Sequence, residues 1–400
     1  MRLLLMIFII LLSASAVTAQ QRFAEESFRI GLSHYEERSY DSALNYFNEV
    51  LRIQPLRYEA YKLRANSRAM NNDLEGALLD YRIYLEKYPD DADALFSYSE
   101  ISYRQQHYKQ AIEGFLKLKT MPAGSTSRIY YTLRPGDRGV SNMFTTQSED
   151  KSLLDNYLGL AFTGLGEYGK SIAHFDSALS VRPVNADYIT NKGLAYLAME
   201  RQDLAKAQFR KALDINPDHA LAKQQLAYVI REEGDQDAAI RLYNEEIAAR
   251  PESAGGYENR GYAHLLKGDN SRAIADFDAA IRRNPKEPST WLNRGIALMR
   301  LDLLEEAFSD LSKAIELDPS LASAYMNRGN ILYRLGEYKN ALNDYNVAII
   351  YDKAYFLAYY HRGITQYKLG DKDAACVSLR FAAVNGIEIA AKTFRKICNN

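Results

Sequence analysis

The chain has 400 residues, 47% of them hydrophobic and 25% charged, and a formal net charge of −1. This is the composition of ordinary folded protein. Near-neutrality argues against a general nucleic-acid or anionic-membrane partner.

The first element predicted is a secretory signal. Met1-Arg2 gives a short positive start, Leu3 to Leu12 is an apolar run too short to span a bilayer, and Val17-Thr18-Ala19 is a small-residue cleavage site. Cleavage after Ala19 is expected; an uncleaved N-terminal anchor is the alternative. No cysteine lies near the cleavage point to carry a lipid anchor. No later apolar run is long enough for a membrane helix, so no integral membrane segment is expected after cleavage.

From Ala24 onward the sequence repeats with a period of 34 residues. Position 1 falls at residues 24, 58 and 92, and again at 152, 186, 220, 254, 288, 322 and 356. Position 8 is small, as in Gly31, Gly159, Gly193, Ala227, Gly261, Gly295, Gly329 and Gly363. Position 20 is also small, and position 24 is large and apolar in Phe175, Phe209, Tyr243, Phe277, Leu311, Tyr345 and Leu379. Glycine recurs near position 15 and proline at position 32, from Pro55 to Pro319. Each unit carries two apolar stripes of helical period, so each predicts two amphipathic helices. Small residues let the two helices approach, the glycine supports the turn between them, and the proline ends the second. One such pair cannot bury its apolar face alone, so neighbours must stack.

This pattern resembles the tetratricopeptide repeat family over nearly the whole chain. The resemblance implies an all-α fold: a right-handed α-solenoid of about ten helix-turn-helix repeats, its concave face lined by the first helices. The expected organisation is a signal over 1–19, a three-repeat array over 24–125, an inserted loop over 126–151 and a seven-repeat array over 152–389. A capping helix over 387–398 should cover the last apolar face.

Several motifs invite a chemical reading. Gly164 to Ser171 (GLGEYGKS) matches the phosphate-loop pattern, but that motif needs a strand before it, and here a repeat helix precedes it. His34, His107, His174 and His219 show no metal-ligand spacing and read as scattered helix-surface residues. No catalytic constellation and no metal or cofactor site is expected. The two cysteines, Cys376 and Cys398, are a candidate disulfide in an exported chain; the alternative is two buried thiols.

Asn-Arg-Gly recurs at positions 6, 7 and 8 in Asn259-Arg260-Gly261, Asn293-Arg294-Gly295 and Asn327-Arg328-Gly329. Arginine at position 7 covaries with aspartate at position 23: Arg64 with Asp80, Arg260 with Asp276, Arg294 with Asp310, Arg328 with Asp344. Arg362 breaks the rule, opposite Ser378. This predicts an Arg–Asp bridge between the two helices of four repeats. The resemblance places position 6 on the groove, where Asn191, Gln225, Asn259, Asn293, Asn327 and His361 form a polar ladder. A primary amide offers donors and an acceptor together, suited to the backbone of an extended peptide. Tyr262, Met299, Tyr333, Asn330 and Tyr367 surround the ladder, with Arg300, Arg334 and Lys368 as candidate partners for an acidic group.

The expected function is a non-enzymatic scaffold of the periplasm or cell envelope that binds an extended segment of a protein or peptide partner. The alternative is a structural subunit of an envelope assembly that uses its outer face and the insert.

Overall fold

The computed structural model describes residues 2–122, 130–132, 142–144 and 150–398, with side chains over 19–122 and 150–398. It is an α-solenoid of stacked helix hairpins. Repeat one pairs the end of α1 (Arg2–Glu36) with α2 (Tyr40–Ile53). Repeats two and three are α3 (Tyr58–Met70) with α4 (Leu74–Lys87), and α5 (Ala92–Arg104) with α6 (Tyr108–Thr120). Repeats four and five are α7 (Ser152–Gly164) with α8 (Tyr168–Val181), and α9 (Ala186–Ala198) with α10 (Gln202–Ile215). Repeats six to eight are α11 (Ala220–Glu232) with α12 (Gln236–Ala249), α13 (Ala254–Lys267) with α14 (Asn270–Arg283), and α15 (Pro288–Arg300) with α16 (Leu304–Leu317). Repeats nine and ten are α17 (Ala322–Arg334) with α18 (Tyr338–Tyr351), and α19 (Phe356–Lys368) with α20 (Lys372–Val384). The cap is α21 (Glu388–Cys398). From repeat two onward, the first helix of every repeat begins on the residue assigned to position 1. No described helix is long and apolar enough to cross a membrane.

The insert, expected to be a loop, carries two short strands. β1 (Tyr130–Thr132) pairs antiparallel with β2 (Asn142–Phe144), with Tyr131 opposite Met143. The rest of the insert lies outside the described residues. Packing continues across it: the Phe115 ring of α6 stacks on Tyr157 of α7 at 5.0 Å. By contacts the chain divides into two compact units, Met1–Pro217 and Asp218–Asn400.

The turn inside each repeat has one solution. Position 15 takes a positive φ in all ten repeats. Five are glycines: Gly166, Gly234, Gly268, Gly336 and Gly370. The others are Arg38, Asn72, Gln106, Glu200 and Asp302, with φ between 58° and 66°. The left-handed turn lets the chain reverse at once, and the next residue often caps the second helix. Asp73, Asp235, Asp269 and Asp371 each accept a backbone N–H three residues on.

Position 8 packs under position 24. A Cβ built on Gly193 would lie 2.5 Å from the Phe209 ring, and on Gly329 2.8 Å from Tyr345. The position-24 side chains are fully buried, each worth roughly 2–3 kcal/mol of apolar transfer. Glycine here trades helix propensity for that close approach.

All four Arg–Asp bridges form, each bidentate. The guanidiniums of Arg64, Arg260, Arg294 and Arg328 donate to both carboxylate oxygens of Asp80, Asp276, Asp310 and Asp344 at 2.6–2.9 Å. The carboxylates are buried, so these are not the exposed pairs whose worth is near zero. The same arginines also reach back to position 25 of the preceding repeat. Arg64 donates to Asn48, Arg260 to Asn244, Arg294 to Asp278 and Arg328 to Ser312. Each further lies over an aromatic ring at position 4: Tyr61, Tyr257, Trp291 or Tyr325. One side chain thus ties two helices of its own repeat and the repeat before it.

Repeat ten keeps Tyr359 and Arg362, but Ser378 replaces the acid. Arg362 donates to Ser378 Oγ at 3.0 Å, and burial lowers the pKa of its guanidinium. Repeat four inverts the arrangement. There Asp155 at position 4 is the buried acid, bound by Lys119 and His174, each at 2.7 Å.

His174 is therefore a hydrogen-bond partner of the buried Asp155 rather than a scattered surface residue. His219 is also buried, and its Nδ1 accepts the Ala222 N–H to cap α11. In the Gly164–Ser171 stretch, Gly166 is the left-handed turn residue, and buried Ser171 shares a hydrogen bond with Thr163. A Cβ on Gly164 would strike the Tyr108 ring at 2.4 Å. The residues that match a phosphate loop are helix-packing residues. Cys376 and Cys398 form a disulfide, tying α20 to α21 with Cα atoms 5.8 Å apart.

Candidate functional site

In the unit Asp218–Asn400, neighbouring first helices touch one another: α11 with α13, α13 with α15, α15 with α17, and α17 with α19. Contact between successive first helices puts them on the inner side of that stack. Position 6 recurs once per helix along this side, and its residues Gln225, Asn259, Asn293, Asn327 and His361 are all half-buried.

These side chains do not form one uniform ladder. Asn327 donates its amide to the Ser323 carbonyl of its own helix at 2.8 Å. His361 packs against the rings of Tyr345 and Tyr360, and burial depresses its pKa to about 4. It is a neutral imidazole at pH 7. In the other compact unit, Asn191 donates to Asn156 Oδ1 at 2.9 Å. That leaves Gln225, Asn259 and Asn293, whose amides make no side-chain hydrogen bond among the described residues. The first helices of three consecutive repeats therefore each present one uncommitted amide.

The flanking residues also divide. The Tyr262 ring packs on one side of the Arg231 guanidinium at 4.8 Å, and Tyr228 packs at 5.0 Å. Arg231 is buried and pairs with Glu232 at 3.0 Å. Tyr333 meets Tyr338 edge-on at 5.3 Å, and burial raises its phenol pKa. Asn330 accepts the Tyr345 hydroxyl at 2.9 Å, which makes it a core partner. Asn66 does the same for Tyr81. Met299 is half-buried and Tyr367 exposed.

Of the three cations proposed for an acidic group, Arg300 donates to the Leu265 carbonyl at 2.7 Å and Arg334 pairs with Asp302. Lys368 has no such partner among the described residues. Arg231 and Tyr228 thus join Tyr262 where α11 meets α13, and the exposed Leu266 shares its repeat position with Arg300 and Arg334. Sequence reasoning passed over Arg231 because it sits at a different repeat position from the other cations. Among the described residues, no group of three His, Cys, Asp or Glu converges to hold a metal ion.

Family models for the tetratricopeptide repeat match residues 28–92, 71–125, 186–219 and 258–322, and a TPR repeat model matches 329–370. The chain matches no curated protein. Among solved structures it is similar to a chain of the APC/C hetero-tetramer Cut9-Hcn1, at 12% identity and a TM-score of 0.52. That match covers 94% of this chain and 96% of that one. It is also similar to a tetratricopeptide repeat protein from Parabacteroides merdae, at 18% identity and a TM-score of 0.51, over 63% of this chain and 100% of that one. YrrB, a TPR protein with an unusual peptide-binding site, is 21% identical over 47% of this chain and 97% of its own, at a TM-score of 0.39. At these identities the likeness is one of fold. The family matches cover more than half of the sequence, and they coincide with helix pairs of the same period: the chain belongs to the tetratricopeptide repeat family.

Proposed function

We propose that this interaction scaffold binds the backbone of an extended peptide segment along α11, α13 and α15. The observation that carries the reading is the set of uncommitted amides Gln225, Asn259 and Asn293, one per helix at a fixed repeat position. A half-buried amide with no internal partner supplies two donors and an acceptor to whatever enters, which matches the alternating N–H and C=O of an extended chain. Tyr228, Tyr262 and Leu266 add apolar surface for side chains of the bound segment.

The test uses peptides selected from a displayed random library on the intact protein. The triple variant Gln225→Ala/Asn259→Ala/Asn293→Ala should weaken their binding by about 1 kcal/mol per lost hydrogen bond, roughly a hundredfold in total. Asn191→Ala/Asn327→Ala, which removes amides already engaged, should leave binding unchanged. Equal loss in both variants would remove the basis for the proposal.

Export supports a partner in the cell envelope. The charged start, the short apolar run and Val17-Thr18-Ala19 favour it, as does the pairing of both cysteines. A mature chain beginning at Gln20, read by mass spectrometry of the exported fraction, tests it.

A further inference from the structure

The outward face of the last repeat is more apolar than that of earlier repeats. Val377, Phe381 and Val384 follow one another at i, i+4 and i+7 along α20 and are 68%, 41% and 74% exposed. In repeat eight the same three repeat positions are Ser309, Lys313 and Glu316. The trend begins in repeat nine, with Val347 and the exposed Ile350 at the second and third of these positions. Helical spacing puts Arg380 on this same face of α20. The cap extends the surface. Its disulfide holds the end of α21 beside Cys376, so the two helices run antiparallel. With Ala390 buried against the stack, α21 exposes Ile389, Lys392, Arg395 and Lys396.

Charge on this surface is one-sided. From the α20 cap Asp371 to Cys398 there are five cations and three carboxylates, in a chain whose net charge is −1. Arg380, Lys392 and Arg395 form no ion pair among the described residues. Net neutrality of the whole chain, which argued against an anionic membrane, conceals this local concentration.

We propose that the α20–α21 face docks on an anionic lipid surface. Valine and isoleucine side chains enter the headgroup boundary, the Phe381 ring stays packed on Tyr359 of α19, and the cations meet lipid phosphates. Exposed aliphatic residues bordered by Lys and Arg on paired helices are the arrangement that interfacial binding requires. Each cation near such a surface strengthens binding about fivefold, and the apolar side chains add to it. The surface is separate from the amides of α11, α13 and α15, so it leaves the peptide groove free.

The experiment is co-sedimentation of the full chain with phosphatidylcholine vesicles, with and without phosphatidylglycerol. Binding should require phosphatidylglycerol and fall with added salt. Lys392→Glu/Arg395→Glu and Val377→Asp/Val384→Asp should each weaken it about tenfold or more. All four side chains are exposed, so folding is retained, and unchanged helical circular dichroism checks this. Absence of binding to anionic vesicles, or equal binding by the wild type and both variants, overturns the proposal. Light scattering on the same samples covers the competing occupant. A dimer that Val377→Asp/Val384→Asp converts to monomer, without vesicle binding, makes the face a self-association surface instead.

Discussion

Asp344→Ala isolates what the recurring arginine does. Arg328 is 21% exposed and the Asp344 side chain 4%, and their two hydrogen bonds are 2.8 and 2.9 Å long. Removing one partner of a buried pair costs about 3–5 kcal/mol, because the other charge is left without compensation. Arg328 would keep Ser312 Oγ at 3.3 Å and the Tyr325 ring at 5.5 Å, so the expected loss is near the low end, about 3 kcal/mol. Replacing both residues, Arg328→Leu/Asp344→Leu, should cost much less, because no buried charge remains. Urea unfolding followed by circular dichroism, with the slope checked for constancy, measures both. Repeat ten supplies the reciprocal experiment. Ser378→Asp gives Arg362 the acid it lacks but removes the Ser378 bond to Gln366 Oε1, so it should stabilise by about 1–2 kcal/mol, less than the full worth of a charge-assisted hydrogen bond. A loss below about 1 kcal/mol for Asp344→Ala, typical of an exposed pair, would refute this reasoning.

Other perturbations follow from the same frame. Glu200 holds a left-handed conformation at φ 58°, so Glu200→Gly should raise stability by about 0.5–1 kcal/mol in urea titrations. A lower midpoint would mean that the turn tolerates a side chain without strain. Glu246 is buried where most repeats carry alanine, opposite Gly256, and its Oε2 has no hydrogen-bond partner. Burial raises its carboxyl pKa, so the cost of ionising it grows as pH rises through that raised value. Glu246→Ala/Gly256→Ala should therefore stabilise at pH 8 and do so less at pH 4; a gain independent of pH would point to packing alone. The pKa of His361 is depressed to about 4 from 6.5, so its contribution is full above pH 6.5 and is lost as pH falls toward 4. His361→Asn should remove up to about 3 kcal/mol of that acid sensitivity, read as the difference between variant and wild type.

The fold was legible because a 34-residue period fixes helix, turn and core positions together. The Arg–Asp bridges were legible because both partners vary in concert within one chain. The second arm of each arginine was equally present in the sequence. Asn48, Asn244, Asp278, Ser312 and Asn346 precede arginine repeats, whereas Arg82 and Leu116 precede repeats with Tyr98 and Leu158 at position 7. It was missed because repeats were compared inside their own boundaries, and stacking pairs residues across them. Glycines marked half of the left-handed turns; Arg38, Gln106 and Glu200 carry no such mark, because the packed hairpin imposes the conformation. The polar ladder was only half legible. Residue type cannot show that Asn327 turns back onto Ser323, or that Asn191 meets Asn156. Those bonds depend on rotamers and on the spacing of neighbouring helices.

The most direct test of backbone recognition alters the peptide rather than the protein. A library-selected peptide is resynthesised with single backbone N-methyl groups, each removing one N–H while keeping every side chain. If Gln225, Asn259 and Asn293 bind main chain, N-methylation at the contacted residues should weaken binding about fivefold or more at each. That loss should vanish against the triple alanine variant. Affinity that ignores every N-methyl group yet collapses on a single side-chain change would contradict the account and make the groove a reader of side chains.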